Sequence, residues 1–200
     1  MSASKHPRRV GLLGGSFNPA HEGHLHVSAL SLEQLGLDEI WWLVSPQNPL
    51  KATSGMAPFS DRLAAAKRVA KSHPQICVSD IEGQLGTRYT VDTLAALQLK
   101  NLDCEFVWII GADNLRQMFK WKGWRTIFRT IPIAVFPRAP YSLRALRGRA
   151  ARCFAAYRMP SSQAIHLADM QAPAWVFLKV PTHSQSATRI RRKFPTERLY

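Results

Sequence analysis

Residues 14–24 read Gly-Gly-Ser-Phe-Asn-Pro-Ala-His-Glu-Gly-His, directly after the apolar run Val10-Gly11-Leu12-Leu13. Paired glycines at the end of a strand permit a tight turn and let backbone N–H groups come close to a ligand. A helix start follows, where unpaired N–H groups and the positive end of the helix dipole suit a phosphate. His21 and His24 stand three apart, so both rings can face one point from the first helical turn. Neutral or charged, they can donate hydrogen bonds to phosphoryl oxygens. The spacing is neither G-x-G-x-x-G nor a Walker A loop, so neither of those ligand classes is implied. A His pair at this spacing, taken alone, reads first as a solvated or metal-binding pair. The strand and Gly-Gly-Ser-Phe turn in front of it reverse that weighting.

A second group of phosphate-competent residues lies near the end of the chain, Ser186-Ala187-Thr188-Arg189-Ile190-Arg191. Ser186 can cap a helix, the helix N–H groups and the Thr188 hydroxyl are donors, and Arg191 adds a fork-shaped cation. Two further segments carry polar and aromatic residues side by side: Arg88-Tyr89-Thr90-Val91-Asp92-Thr93-Leu94, and Ile110-Gly111-Ala112-Asp113-Asn114 followed by Trp121. Each has a plain alternative. Trp121 and Trp124 fit a core, Asp113 fits a helix N-cap, and Asp92 fits a first-turn charge.

The Gly-rich turn, His21-x-Gly23-His24 and the Ser186–Arg191 segment together resemble the H-x-G-H nucleotidyltransferase superfamily. Asn18 stands where that superfamily usually has Asp. The two middle segments are similar to nicotinate mononucleotide adenylyltransferases, and the likeness runs from Val10 to Lys193. The resemblance implies adenylyl transfer from ATP to nicotinate mononucleotide, giving deamido-NAD and pyrophosphate in NAD biosynthesis. It implies catalytic roles for His21, His24, Lys51 and Arg191 in neutralising the triphosphate, and ATP contacts from Gly14, Gly15, Ser16, Phe17, Gly111, Ser186 and Thr188. It assigns the acceptor to Thr90 through its backbone, Asp113 at the sugar, Trp121 stacked on the pyridine ring and Arg138 at the phosphate. An aromatic platform suits an electron-poor ring, and N–H donors suit its carboxylate. No dedicated metal ligands are expected; Mg²⁺ is expected to be held mainly by substrate phosphates and water. The nearest rival within the superfamily is a phosphopantetheine-type transferase, which lacks the two middle segments.

The elements that must position these residues alternate between strand and helix, the pattern of a parallel α/β sheet. Strands are predicted over 10–13, 39–44, 76–79, 105–110, 131–136 and 175–180. Helices are predicted over 21–35, 60–71, 90–100, 114–119, 142–156 and 186–193. A polar loop holding Pro46, Pro49, Gly55 and Pro58 separates the second strand from its helix, long enough for a functional lid. The expected architecture is a Rossmann-like, doubly wound parallel sheet with a small C-terminal helical segment. Residues 1–8 are expected to be a disordered tail before a single nucleotidyltransferase domain over 9–200.

Composition bounds the rest. The chain has 200 residues and a formal net charge of +14. Residues 1–120 carry 12 basic and 11 acidic side chains; residues 121–200 carry 15 basic and only Asp169 and Glu197. A surplus of this size favours polyanionic partners, which a nucleotide substrate satisfies as well as a nucleic acid does. No RNP motif, zinc finger or clear helix-turn-helix is present, so nucleic-acid binding is not expected. The Arg144, Arg147, Arg149, Arg152 series reads as a solvated face. Cys77, Cys104 and Cys153 are too sparse for a disulfide framework, and Cys77 reads as a small buried hydrophobe. With no signal-peptide core and no 18-residue apolar run, a cytoplasmic protein free of membrane is expected.

Overall fold

A computed structural model describes residues 6–46, 55–138, 141–183, 185 and 187–193. Its centre is a seven-stranded sheet, every neighbouring pair parallel, in the order β3-β2-β1-β4-β5-β7-β6. The strands are β1 (Arg8–Gly15), β2 (Glu39–Val44), β3 (Ile76–Ser79), β4 (Cys104–Gly111), β5 (Ile133–Phe136), β6 (Arg158–Met159) and β7 (Trp175–Phe177). The chain runs outward from β1 through β2 to β3, then crosses back to place β4 on the other side of β1. That reversal leaves a crevice beyond the carboxyl ends of β1 and β4, the usual ligand site of such sheets.

Both faces of the sheet are covered, which is why EIWWLV and EFVWII are continuous apolar runs rather than alternating ones. On one face Leu12, Leu43, Trp108 and Ile110 pack under α4 (Thr90–Lys100) and α6 (Trp124–Thr130), through Leu94, Leu97, Ile127 and Phe128. On the other, Ile40, Trp42, Val107 and Ile109 pack against Leu25 and Leu35 of α1 (Glu22–Leu35) and Ala66 of α2 (Phe59–Ala70). A seat for the aromatic layer explains Gly14: a Cβ there would run into the Trp108 indole.

Several boundaries move for identifiable reasons. β1 begins at Arg8, whose guanidinium pairs with Glu39 at 3.0 Å and Asp103 at 3.3 Å. β5 begins after Pro132, which has no N–H for the ladder. The helix expected over 142–156 is two helices, α7 (Ser142–Leu146) and α8 (Arg149–Cys153), parted at an extended Gly148. A continuous helix would carry Arg149 and Arg152 onto the same face as buried Ala145. The break instead turns Ala150, Ala151 and Phe154 inward and leaves both arginines in solvent. The sequence pattern also missed α3 (Ile81–Leu85), α6, the 3₁₀ segment Ser161–Asp169 and the two-residue strand β6. Between α3 and α6 lie α4 and the short α5 (Ala112–Gln117); the last described helix is the basic α9 (Ala187–Lys193). Cys77 is exposed, not buried, because β3 is an edge strand.

Beside β7 the core is aromatic. Phe128 stacks on Phe154 at 4.2 Å and meets Trp175 edge-on, while the Trp175 indole N–H donates to the Phe154 carbonyl at 2.7 Å. Phe128 is fully buried. Phe128→Ala is expected to lower folding stability by about 3–5 kcal/mol, measured by urea denaturation. A loss below about 1 kcal/mol would contradict this packing.

Candidate active site

The turn after β1 is shaped by its own side chains. Phe17 takes φ +45, a backbone region that bulky residues rarely adopt. His21 is the extended N-cap of α1, and its ring Nδ1 accepts from the Gly23 N–H at 3.0 Å. In return the His21 N–H donates to Nδ1 of His24 at 3.2 Å. Two rings thus perform the reciprocal capping usually done by Ser and Glu. A Cβ at position 23 would lie 2.8 Å from the His21 ring, so only glycine lets the cap close.

The capping also fixes the tautomers. A backbone N–H can only donate, so each Nδ1 is unprotonated and each neutral ring carries its proton on Nε2. The ring centroids are 4.0 Å apart. Burial, aided by the charge of Arg138 and by His183, pushes His21 down to about 4. Burial, then His21 and Arg138, hold His24 well below the ordinary histidine value. At neutral pH the pair therefore offers two aimed N–H donors rather than two cations.

Asn18 and Arg62 anchor this turn to the rest of the sheet edge. The Asn18 amide donates to the Gly55 carbonyl at 3.1 Å and accepts from the Ala57 N–H at 3.2 Å. A carboxylate there could accept from Ala57 but would face the Gly55 carbonyl with no proton to give. Both halves of the amide are used, which accounts for Asn in this position. Arg62 of α2 is 1% exposed, and it donates to the carbonyls of Ser16, Ser45, Pro46 and Ala57 at 2.6–3.0 Å. One guanidinium thus joins the turn, the end of β2 and the start of α2. Nothing in the sequence flagged it, because an arginine in an alanine-rich helix ordinarily faces water.

The C-terminal group returns to the same place. The Arg191 guanidinium donates to the Asn18 carbonyl, 173 positions away in sequence. The Gln185 carbonyl passes over Gly23, and His26 meets the Pro181 carbonyl at 3.1 Å. Thr188 is exposed in α9. Lys51 and Ser186 lie outside the described residues.

The acceptor candidates fall in two groups, one at the end of β4 and one at the start of α4. Gly111 ends that strand, and Asp113, in the first turn of α5, pairs with Arg138 at 3.1 Å. Gly111, not Asp113, is the N-cap of α5. The second Asp113 oxygen, Oδ1, and the Trp121 indole N–H are both buried with no hydrogen-bond partner among the described residues. Thr90 opens α4. Gly123, at φ +61, brings the Trp121 segment against Val91 of that helix; a Cβ added at position 123 would lie 3.1 Å from the Val91 side chain. Lys122 lies over the Tyr89 ring at 4.3 Å and pairs with Asp92 at 3.4 Å, so Asp92 has an ion-pair partner as well as its first-turn place. Trp121 is only partly buried against the core, whereas Trp124 is buried in it.

The cytidylyltransferase-like family model matches residues 12–193. The chain belongs to the cytidylyltransferase-like family. A relative from Parvibaculum lavamentivorans named "Probable nicotinate-nucleotide adenylyltransferase" is 56% identical over 185 residues, covering 92% of each chain. Another of that name, from Caulobacter sp. strain K31, is 49% identical and covers 92% of this chain and 96% of its own. The fold matches a Plasmodium falciparum nicotinic acid mononucleotide adenylyltransferase complexed with NaAD, at a TM-score of 0.68 and 16% identity, covering 92% and 83% of the two chains. Among the described residues no group of three or more His, Cys, Asp and Glu could hold a metal ion, and Asp113 is already engaged by Arg138.

The histidine pair makes the fold acid-sensitive. The unfolded chain binds more protons than the native one between the ordinary histidine value and about 4. The contribution is complete above about pH 6.5 and is lost as pH falls toward 4, on the order of 3 kcal/mol for His21. Urea unfolding at pH 7 and pH 4.5 should therefore show a large acid loss that shrinks in His21→Asn. An unchanged acid loss in that variant would contradict the assignment.

Proposed function

We propose that this chain transfers the adenylyl group of ATP to nicotinate mononucleotide, forming deamido-NAD and pyrophosphate in NAD biosynthesis. What supports the reading is the meeting of His21, His24 and Arg191 at the β1 turn, with the Asp113–Arg138 pair at the end of neighbouring β4 and its charge acting on both rings. Arg138 depresses the affinity of both histidines for protons, so its charge is felt across the crevice.

In this mechanism a phosphate oxygen of the mononucleotide attacks the α-phosphorus of ATP. A new P–O bond forms as the bond to the β-phosphate bridging oxygen breaks, and that electron pair leaves with pyrophosphate. No enzyme nucleophile is required, so the protein supplies position and charge. His21 and His24 direct Nε2–H donors at the phosphoryl oxygens, while Arg191 and Lys51 neutralise the triphosphate. The N–H groups of Gly14, Gly15, Ser16 and Phe17, with Gly111, Ser186 and Thr188, form the ATP cradle. Thr90 meets the nicotinate carboxylate through its backbone, Trp121 carries the ring, Asp113 takes the sugar and Arg138 the mononucleotide phosphate. The orphan Asp113 oxygen and the orphan Trp121 N–H support polar partners on that side. Mg²⁺, held largely by phosphate oxygens and water, supplies further charge neutralisation when bound. Residues 9–200 act as one domain, in the cytoplasm, with small-molecule partners and no nucleic acid. No described helix is long and apolar enough to cross a membrane.

Pyrophosphate release with ATP and three acceptors, namely nicotinate mononucleotide, its amide and phosphopantetheine, tests the reading. Turnover is expected with the first, and preference for phosphopantetheine would overturn it. His24→Ala is expected to lower kcat by about 100-fold or more with a smaller change in KM for ATP. Trp121→Ala is expected to raise KM for nicotinate mononucleotide about tenfold while leaving that for ATP near its native value.

A further inference from the structure

Phe17 is nine-tenths or more buried, yet it holds a left-handed backbone conformation that costs energy for a side chain of its size. Its ring occupies the gap between two others. Its centroid lies 4.6 Å from the His24 ring and 5.0 Å from Trp42, on which it stacks at 25°. Trp42 itself lies 5.8 Å from His24 and is fully buried. The polar end of Trp42 leads to the same histidine by another route. Its indole N–H donates to Ser28 Oγ at 2.8 Å, and the Ser28 hydroxyl donates to the His24 carbonyl at 2.9 Å. Ser28 is fully buried as well.

The geometry points to Trp42 as a positioning residue for His24, acting through a stacked arm, Phe17, and a hydrogen-bonded arm, Ser28. This rests on the reading that His24 directs a donor at the transferring phosphoryl group. The histidine has three constraints. Its Nδ1 is fixed by the His21 N–H, its ring face by Phe17, and its peptide by Ser28. Two of the three trace back to one indole inside β2. Filling the core does not by itself demand an acceptor, since the buried Trp108 indole N–H has no hydrogen-bond partner among the described residues. At Trp42 the acceptor is a hydroxyl that in turn holds the residue whose aim matters. The strained Phe17 backbone fits the same account, since the ring must leave the turn in that direction to reach between His24 and Trp42. Small errors of aim are costly in a reaction that depends on alignment rather than on covalent help.

Trp42→Phe keeps an aromatic ring beneath Phe17 and removes the N–H; Ser28→Ala removes the relay and keeps Trp42. Both are compared with Leu167→Ala, a buried change on the same side of the sheet but away from the turn. Each is assayed well below its own Tm for kcat, KM for ATP and the ¹⁵N shifts of the His24 ring. In both relay variants kcat is expected to fall about tenfold with KM for ATP changed by less than about threefold. The His24 nitrogens are expected to move from the single Nε2–H pattern toward tautomer averaging. Leu167→Ala is expected to lower Tm without either effect. Native His24 shifts together with native kcat in both relay variants would overturn the proposal. So would a kcat loss in Leu167→Ala matching theirs. If the native protein releases no pyrophosphate with any acceptor, the transfer reading fails. The His24 shifts then still decide whether Trp42 fixes the ring.

Discussion

The first turn of α1 has to satisfy its free N–H groups, and it does so with two histidine rings. That choice governs the site. Spending each Nδ1 on a backbone N–H leaves the proton of each neutral ring on Nε2, and burial keeps both rings neutral. The cap is therefore also a pair of oriented donors, held in place before any ligand arrives. Preorganised dipoles of this kind need no rearrangement when charge develops on a phosphoryl group. Positive charge is supplied separately, by Arg191 on the turn and Arg138 across the crevice, and Arg138 is part of what keeps the rings unprotonated. Direction and charge are divided between two residue types.

The sheet makes that division possible. Because its two faces are both covered, the carboxyl ends of β1 and β4 open between two separate cores. The histidines lean on the core under α1 and α2, whereas Trp121 leans on the core under α4 and α6. A fully buried Arg62 then secures the turn by filling its donors with carbonyls from three stretches of chain. A buried cation is costly without partners, so the carbonyls and the guanidinium depend on one another. The exposed arginines of α7 and α8 have no part in this clamp.

The turn and helix start after β1 were readable because the residue types and spacing that form them are local. Gly-Gly-Ser-Phe followed by His21 and His24 encodes a strand end, a turn and a helix start within eleven positions. The same local logic found Thr90 at the start of α4 and the alternation of strands and helices. It failed wherever packing overruled pattern. The basic segment 142–156 has helix-forming residues throughout, but only a break at Gly148 lets its alanines reach the core and its arginines remain wet. Cys77 carries an apolar neighbourhood but sits on an edge strand, a position that sequence does not reveal. Asp113 fits an N-cap by residue type, but the cap of α5 is Gly111 and Asp113 instead pairs with Arg138.

By itself the sequence determined the parallel α/β architecture, the turn and helix start after β1, and the helix near the end of the chain. Short-range spacing, strand-and-turn chemistry and apolar periodicity are enough for that. Tertiary structure alone decided the protonation and aim of the histidines, the use of both halves of the Asn18 amide, and the burial of Arg62 and Trp42 behind the turn. Each of those depends on partners from distant segments and on the exclusion of water, and neither is a property of a residue in its own stretch of chain.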